Sequence, residues 1–342
     1  MFSPAANPPS RFEELTLAWD EAAPPARLRV YDDDSKSVLS KNDSPDLPFT
    51  WSLNPYRGCS HACTYCYARP SHEYLGFGAG TDFETRILVK RDAAALLAAA
   101  FDAPSWLGER ILFSGNTDCY QPLEHRLGLT RACLEVCLRY RNPVALITKS
   151  NLIERDVALL ADLHRVATAR VTFSIPYIDP ALARHIEPGA PTPARRLRAL
   201  GTLAAAGIPV GVNLGPVIPG LNDREIPAVL TAAREAGAAW ANLILVRLPG
   251  SVAPYFEARL REELPTRAEG VLARIRRARG GGLNEARFGE RFRGKGEEWA
   301  ATKRLFDVWS ARLGYGAWLG EAGPSTFRRP NHGAQVALFS RG

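Results

Sequence analysis

Three of the chain's six cysteines fall within eight residues, Cys59-Ser-His-Ala-Cys63-Thr-Tyr-Cys66. Thiolates at C-x3-C-x2-C spacing can curl round one compact inorganic centre. A cubane 4Fe-4S cluster has four irons, so three thiolates leave one iron without a protein ligand. An open iron is a place for chemistry rather than a structural plug. The competing reading is a zinc ion closed by three sulfurs and a histidine. His61 lies between the cysteines, where it is hard to aim at the same ion. His72 can reach, but the two short-spaced ligand pairs usual for such sites are absent. Disulfides would strand one of the three cysteines.

The elements around this loop decide whether it serves a site. The apolar run Phe49-Thr-Trp-Ser-Leu-Asn-Pro-Tyr56 reads as a strand leading into it. Residues 67–76 read as a short helix and loop. Phe83–Lys90 alternates as a strand would, and Asp92 is placed to cap a helix over 93–101. Strand, loop and helix then repeat. Apolar runs at 110–114, 143–148, 169–175, 208–213 and 240–247 are separated by helical stretches at 128–140, 153–164, 193–206 and 223–236. Counting the first strand, six strands stand at βα spacing, which implies a parallel sheet, doubly wound or barrel-like. Polar and Gly-rich residues gather at the C-terminal strand ends, where such folds place ligands.

Here the chain resembles a family. Cys59-x3-Cys63-x2-Cys66, with aromatic Tyr65 beside the last cysteine at the end of a first strand, is the signature of the radical S-adenosylmethionine enzymes. The resemblance covers about residues 48–250. It implies an α/β fold, a partial TIM-like (β/α)6 barrel, with the three cysteines as ligands of a 4Fe-4S cluster. It also implies S-adenosyl-L-methionine on the open iron, its C–S bond cleaved by one electron to give a 5′-deoxyadenosyl radical that abstracts hydrogen from a substrate. The electron would come from a reducing partner such as a flavodoxin or ferredoxin. Ser114-Gly115-Asn116 resembles the family's motif for the cosubstrate amino group, but lacks its glutamate. Lys149 and Ser174 stand where similar members hold the carboxylate; Asn213, the 215–220 loop and Tyr65 suit the ribose and adenine. Glu187 and Arg195 are expected to form an ion pair that organises the barrel.

Cys-x3-Cys-x2-Cys with Thr148-Lys149-Ser150 and Glu187-Pro-Gly-Ala-Pro-Thr192 is most similar to the spore photoproduct lyase branch, which repairs a thymine dimer in DNA with a cysteine as hydrogen donor. No cysteine stands at the comparable strand end. Cys119, five residues beyond Ser114, is the candidate donor, with a packed loop thiol as the alternative reading. Cys133 and Cys137, four apart on a helix, read as small buried apolar residues.

The net charge of +7 is carried by the last quarter: from Tyr255 onward, 17 Lys/Arg face 10 Asp/Glu, while residues 1–254 balance. The basic, Phe-bearing stretch 287–296 is the candidate contact for a nucleic acid. An Arg-rich, Met- and Lys-poor composition is also what a GC-rich genome leaves. Residues 1–47 read as an N-terminal arm, 48–250 as the core barrel, and 251–342 as a helical, basic extension. The absence of an 18-residue apolar run or a secretory leader points to a cytoplasmic protein without a membrane span. The expected function is therefore radical chemistry on a substrate, a nucleic acid foremost. Modification of a peptide or small molecule, or iron-sulfur-dependent nucleic-acid binding without turnover, are the alternatives.

Overall fold

Six parallel strands lie side by side in the order in which the chain makes them. A computed structural model describes residues 5–12, 26–317 and 325–330. Its strands are β1 (Arg29–Asp32), β2 (Leu39–Lys41), β3 (Trp51–Leu53), β4 (Tyr56–Arg57), β5 (Arg86–Val89), β6 (Ile111–Phe113), β7 (Val144–Thr148), β8 (Ala169–Ser174), β9 (Val210–Val217) and β10 (Trp240–Leu245). The main sheet runs β10-β9-β8-β7-β6-β3-β2, parallel throughout except for β2, which is antiparallel to β3 at one edge. β2 and β10 are its two edges, so the sheet is open rather than a closed barrel.

Strand alternation separates two faces. Val171 and Phe173 of β8 and Val210 and Val212 of β9 join the main core with leucines of the surrounding helices. On the opposite face, Ser174, the last residue of β8, is a register partner of Asn213, and Asn213 of Asn242, both mid-way along β9 and β10; β9 runs on to Val217, past the end expected at residue 213. Helix Leu129–Tyr140 buries Cys133, Leu134 and Cys137, as the four-residue cysteine spacing predicts.

The N-terminal residues complete edges. β1 pairs in parallel with β5, β4 pairs antiparallel on its other side, and Ala6 exchanges hydrogen bonds with Thr81. The expected strand at 83–90 begins late: residues Thr81–Thr85 turn as one helical turn, and only Arg86–Val89 extend. The turn lets the Phe83 carbonyl accept from the Cys59 amide at 2.9 Å, so the cysteine loop claims a carbonyl that a strand would have used elsewhere. No helix among the described residues is long and apolar enough to cross a membrane.

Candidate cofactor site

The cysteine loop is shaped by backbone first. Gly58 has φ +85°, and a side chain there would lie 2.8 Å from both Ile87 and the Phe83 carbonyl, so only glycine fits. Gln121 spans the loop, donating to the Gly58 carbonyl at 2.9 Å and accepting from the Ser60 amide at 3.1 Å. From the far side the Thr64 amide donates to Ile186 at 3.0 Å and the Gly189 amide to His61 at 3.0 Å. A Cβ on Gly189 would sit 2.1 Å from the Ser60 carbonyl, which is why Glu187-Pro-Gly189 can press so close.

Arg69 fastens the loop from within. It is wholly buried, and it donates to the Cys63 carbonyl through Nε at 3.0 Å and Nη2 at 2.8 Å. It also donates to the carbonyls of Ala79 and Gly80, pairs with Glu84 at 2.5 Å, and lies 4.1 Å from the Tyr255 ring centroid. Every face of this buried cation is therefore matched.

The three cysteines are unbridged. Cys59 and Cys63 are buried and Cys66 is partly exposed. They lie within electrostatic reach of one another: Cys63 and Cys66 both disfavour ionisation of Cys59, after burial and Asp118. Burial pushes the Cys63 thiol up to about 12, opposed by the Lys149 ammonium. Such thiols ionise only when a cation takes them, and a bound metal does so outright. Among the described residues no three His, Cys, Asp or Glu side chains converge on a single ion. One tetrahedral zinc needs all its sulfurs at about 2.3 Å from one point. A cubane gives each thiolate its own iron and asks only that they surround a larger body. One loop carrying three free thiols, one of them at its open side, fits the cluster.

The strand ends bring several expected residues to this loop. Lys149 follows β7; its ammonium lies 5.7 Å from the Tyr65 ring centroid. Burial opposes its charge, but Cys63 and Glu187 outweigh that, and its pKa stands above the usual lysine value. The Tyr65 hydroxyl donates to Glu187. Glu187 pairs at 2.5 Å with Arg196, not with Arg195, which is exposed on the other side of helix Pro193–Ala205. Arg196 in turn donates to the Ser174 carbonyl at 3.0 Å and to Pro191 at 2.7 Å. Tyr65 and Lys149 thus lie beside Cys63, and Arg196 ties the Ser174 backbone to the Glu187 pair.

The β6 end is differently arranged. Ser114 has φ +69°, and its hydroxyl accepts from the Cys119 amide at 2.9 Å, so it folds its own loop. The Gly115 carbonyl accepts from the Tyr67 hydroxyl, and the Asn116 amide donates to Asn54 at 3.1 Å. Asn213 accepts from Asn242 at 2.8 Å. Cys119 is buried in the main core, where its carbonyl accepts from Thr130 and burial pushes its thiol well up.

Sequence reasoning missed the residue that ties these ends together. Asp118 accepts from the Thr148 hydroxyl at 2.7 Å, from the Lys149 amide at 2.8 Å and from the Tyr120 amide at 2.9 Å, and faces His61 Nδ1 at 3.3 Å. The loop, β6 and β7 meet on one carboxylate, held down to about 2 against its burial by His61 and these donors. Its signal was its place in Gly115-Asn-Thr-Asp118, a polar turn right after a buried strand.

Comparison with known proteins agrees with this geometry. The Radical SAM superfamily model matches residues 53–233. An uncharacterised protein of Mycobacterium tuberculosis is 38% identical over 68% of this chain and 70% of its own length. One from Methanocaldococcus jannaschii is 31% identical over 58% of this chain and 72% of its own. Among solved structures, a spore photoproduct lyase complexed with dinucleoside spore photoproduct overlays with TM-score 0.58 at 17% identity. That overlay covers 84% of this chain and 80% of the lyase and shows a shared fold. The chain belongs to the Radical SAM superfamily.

Proposed function

We propose that the chain is a radical S-adenosylmethionine enzyme acting on a nucleic acid, in a reaction of the lesion-repair kind. The observation that carries the radical chemistry is the trio Cys59, Cys63 and Cys66 on a loop held from both sides, with Tyr65 and Lys149 beside it. When bound, the cluster and cosubstrate supply one-electron cleavage of a sulfonium C–S bond and hydrogen abstraction. The chain's own residues do the rest. Arg69 holds the Cys63 backbone so that the thiols keep their spacing. Lys149 offers a cation for the cosubstrate carboxylate, its backbone fixed by Asp118. Tyr65, pinned by Glu187, presents a ring for the adenine, and Ser174 at the end of β8, Asn213 within β9 and the Ser114-Gly115-Asn116 turn offer contacts for the cosubstrate's polar groups. Cys119 is the proposed hydrogen donor.

The nucleic-acid reading is supported by the likeness in fold to a lyase solved with bound AdoMet and dinucleoside spore photoproduct, and by the basic extension. We take residues 1–47 as an arm, 48–250 as the catalytic core and 251–342 as a substrate-side extension, working in the cytoplasm with a flavodoxin or ferredoxin as reductant. The test is isotopic. Deuterated DNA carrying defined lesions is incubated with the reconstituted protein, S-adenosylmethionine and dithionite. Deuterium in 5′-deoxyadenosine is expected. Deuterium transfer from a peptide or small-molecule substrate, with none from DNA, would overturn the nucleic-acid reading.

A further inference from the structure

Arginine and phenylalanine alternate in a stacked column that runs outward from the end of β10. The Arg247 guanidinium lies 4.8 Å from the Phe292 ring centroid. Arg291 lies 5.1 Å from the same ring and 4.7 Å from that of Phe288, which is 62% exposed at the head of the column. Two cations against one ring repel each other, so each needs its own counterpart. Arg291 has one: Asp46 at 2.7 Å, with Ser44 beside it. Arg279, behind the column, gives its N–H groups to the carbonyls of Leu245, Val246, Arg291 and Arg293. Arg287 pairs with Glu285 at 2.8 Å. Arg247 has none among the described residues: its Nε is buried and without a hydrogen-bond partner. Asp46, the carboxylate whose charge reaches it, is the one engaged by Arg291.

Arg247 stands two residues beyond β10. β3, which leads into the cysteine loop, and β7, which Lys149 follows, run parallel to β10, so their C-terminal ends lie on the same side of the sheet as Arg247. The unmatched guanidinium therefore stands at the same end of the sheet as the cysteine loop.

We propose that Arg247 is the contact for a phosphate group of the substrate strand, held in aim by the Phe292 ring. The proposal rests on the nucleic-acid reading above and deepens it. A planar guanidinium donates to two phosphate oxygens at once, and stacking fixes its plane beforehand, so little freedom is lost on binding. A carboxylate would satisfy the same fork, but the exposed Phe288 face at the head of the column suits a base. The basic stretch 287–296 then acts as support for Arg247, since its own Arg287 and Arg291 are already paired.

Binding of a short fluorescein-labelled oligothymidylate to the cluster-loaded full chain with S-adenosylmethionine, across a salt series, tests this. Arg247→Met is expected to weaken binding about tenfold or more. It should also reduce the slope of log affinity against log salt by about 0.7, the contribution of one single-strand phosphate contact. Arg247→Lys should restore the slope, and Phe292→Leu should weaken binding with the slope intact. Melting by circular dichroism checks that each variant is folded. If the wild type binds and Arg247→Met keeps its affinity and slope, the Arg247 assignment falls alone. If the wild type does not bind oligothymidylate, the nucleic-acid reading falls and takes the assignment with it. Competition by polyglutamate as strong as by oligothymidylate would likewise overturn a phosphate site.

Discussion

Glu187 and Arg196 meet at 2.5 Å with at most 1% of either side chain exposed. The other Glu187 oxygen accepts from the Tyr65 hydroxyl, so one buried pair joins the cysteine loop to helix Pro193–Ala205. Leaving one member of a buried pair uncompensated costs about 3–5 kcal/mol. Glu187→Gln and Arg196→Met should each lower the melting temperature strongly. The double variant should lose clearly less than the sum of the two. Strict additivity in this thermal cycle would contradict the pairing.

Arg69 is expected to be needed for the cluster loop and not only for the fold. Arg69→Met leaves the Glu84 carboxylate with only the Tyr255 hydroxyl and frees the Cys63 carbonyl from two donors. A destabilisation of about 3–5 kcal/mol is expected, with iron content after reconstitution falling well below wild type. Arg69→Lys keeps the charge but not the fork, and should sit between the two. Full iron loading in Arg69→Met would show that the loop holds its shape without it.

Asp118→Asn keeps the size of the side chain and removes the charge that His61 faces. The cluster should still assemble, since Cys59, Cys63 and Cys66 are untouched. Lys149 loses the carboxylate to which its backbone amide donates, so the change that S-adenosylmethionine induces in the electron paramagnetic resonance spectrum of the reduced cluster should need more cosubstrate, by about tenfold. An unchanged titration would remove Asp118 from the positioning of the β7 end.

Cys119→Ala separates two roles for one thiol. As hydrogen donor, its loss should leave 5′-deoxyadenosine formation near wild type while product of the return step disappears or changes identity. As a packed core residue, it should cost about 1–2 kcal/mol in stability and leave products alone. Product analysis beside a melting curve distinguishes them.

The barrel strands were legible because each is a short, near-continuous apolar run with a polar strand end. The edge strands were not: β1 and β2 are short and largely exposed, and their partners β5 and β3, not their own pattern, make them strands. The misplaced ion pair was readable in retrospect. Pro193, Arg196, Ala199, Leu200 and Leu203 form the buried stripe of their helix, and Arg195, one residue away, is turned about 100° from it. Arg69 left no such trace, since nothing local couples it to Glu84 or to the Cys63 carbonyl. Asp118 lay in a strand-end turn already marked as polar, but its three donors come from β7 and its own loop and appear only once the sheet is assembled.

The central claim is that Cys59, Cys63 and Cys66 hold a cluster that cleaves S-adenosylmethionine. The most direct measurement is 5′-deoxyadenosine production by the anaerobically reconstituted protein with S-adenosylmethionine and dithionite. Formation by the wild type and its loss in Cys63→Ala is the expected result. No 5′-deoxyadenosine from the iron-loaded wild type under any low-potential reductant, or equal formation by Cys63→Ala, would contradict it.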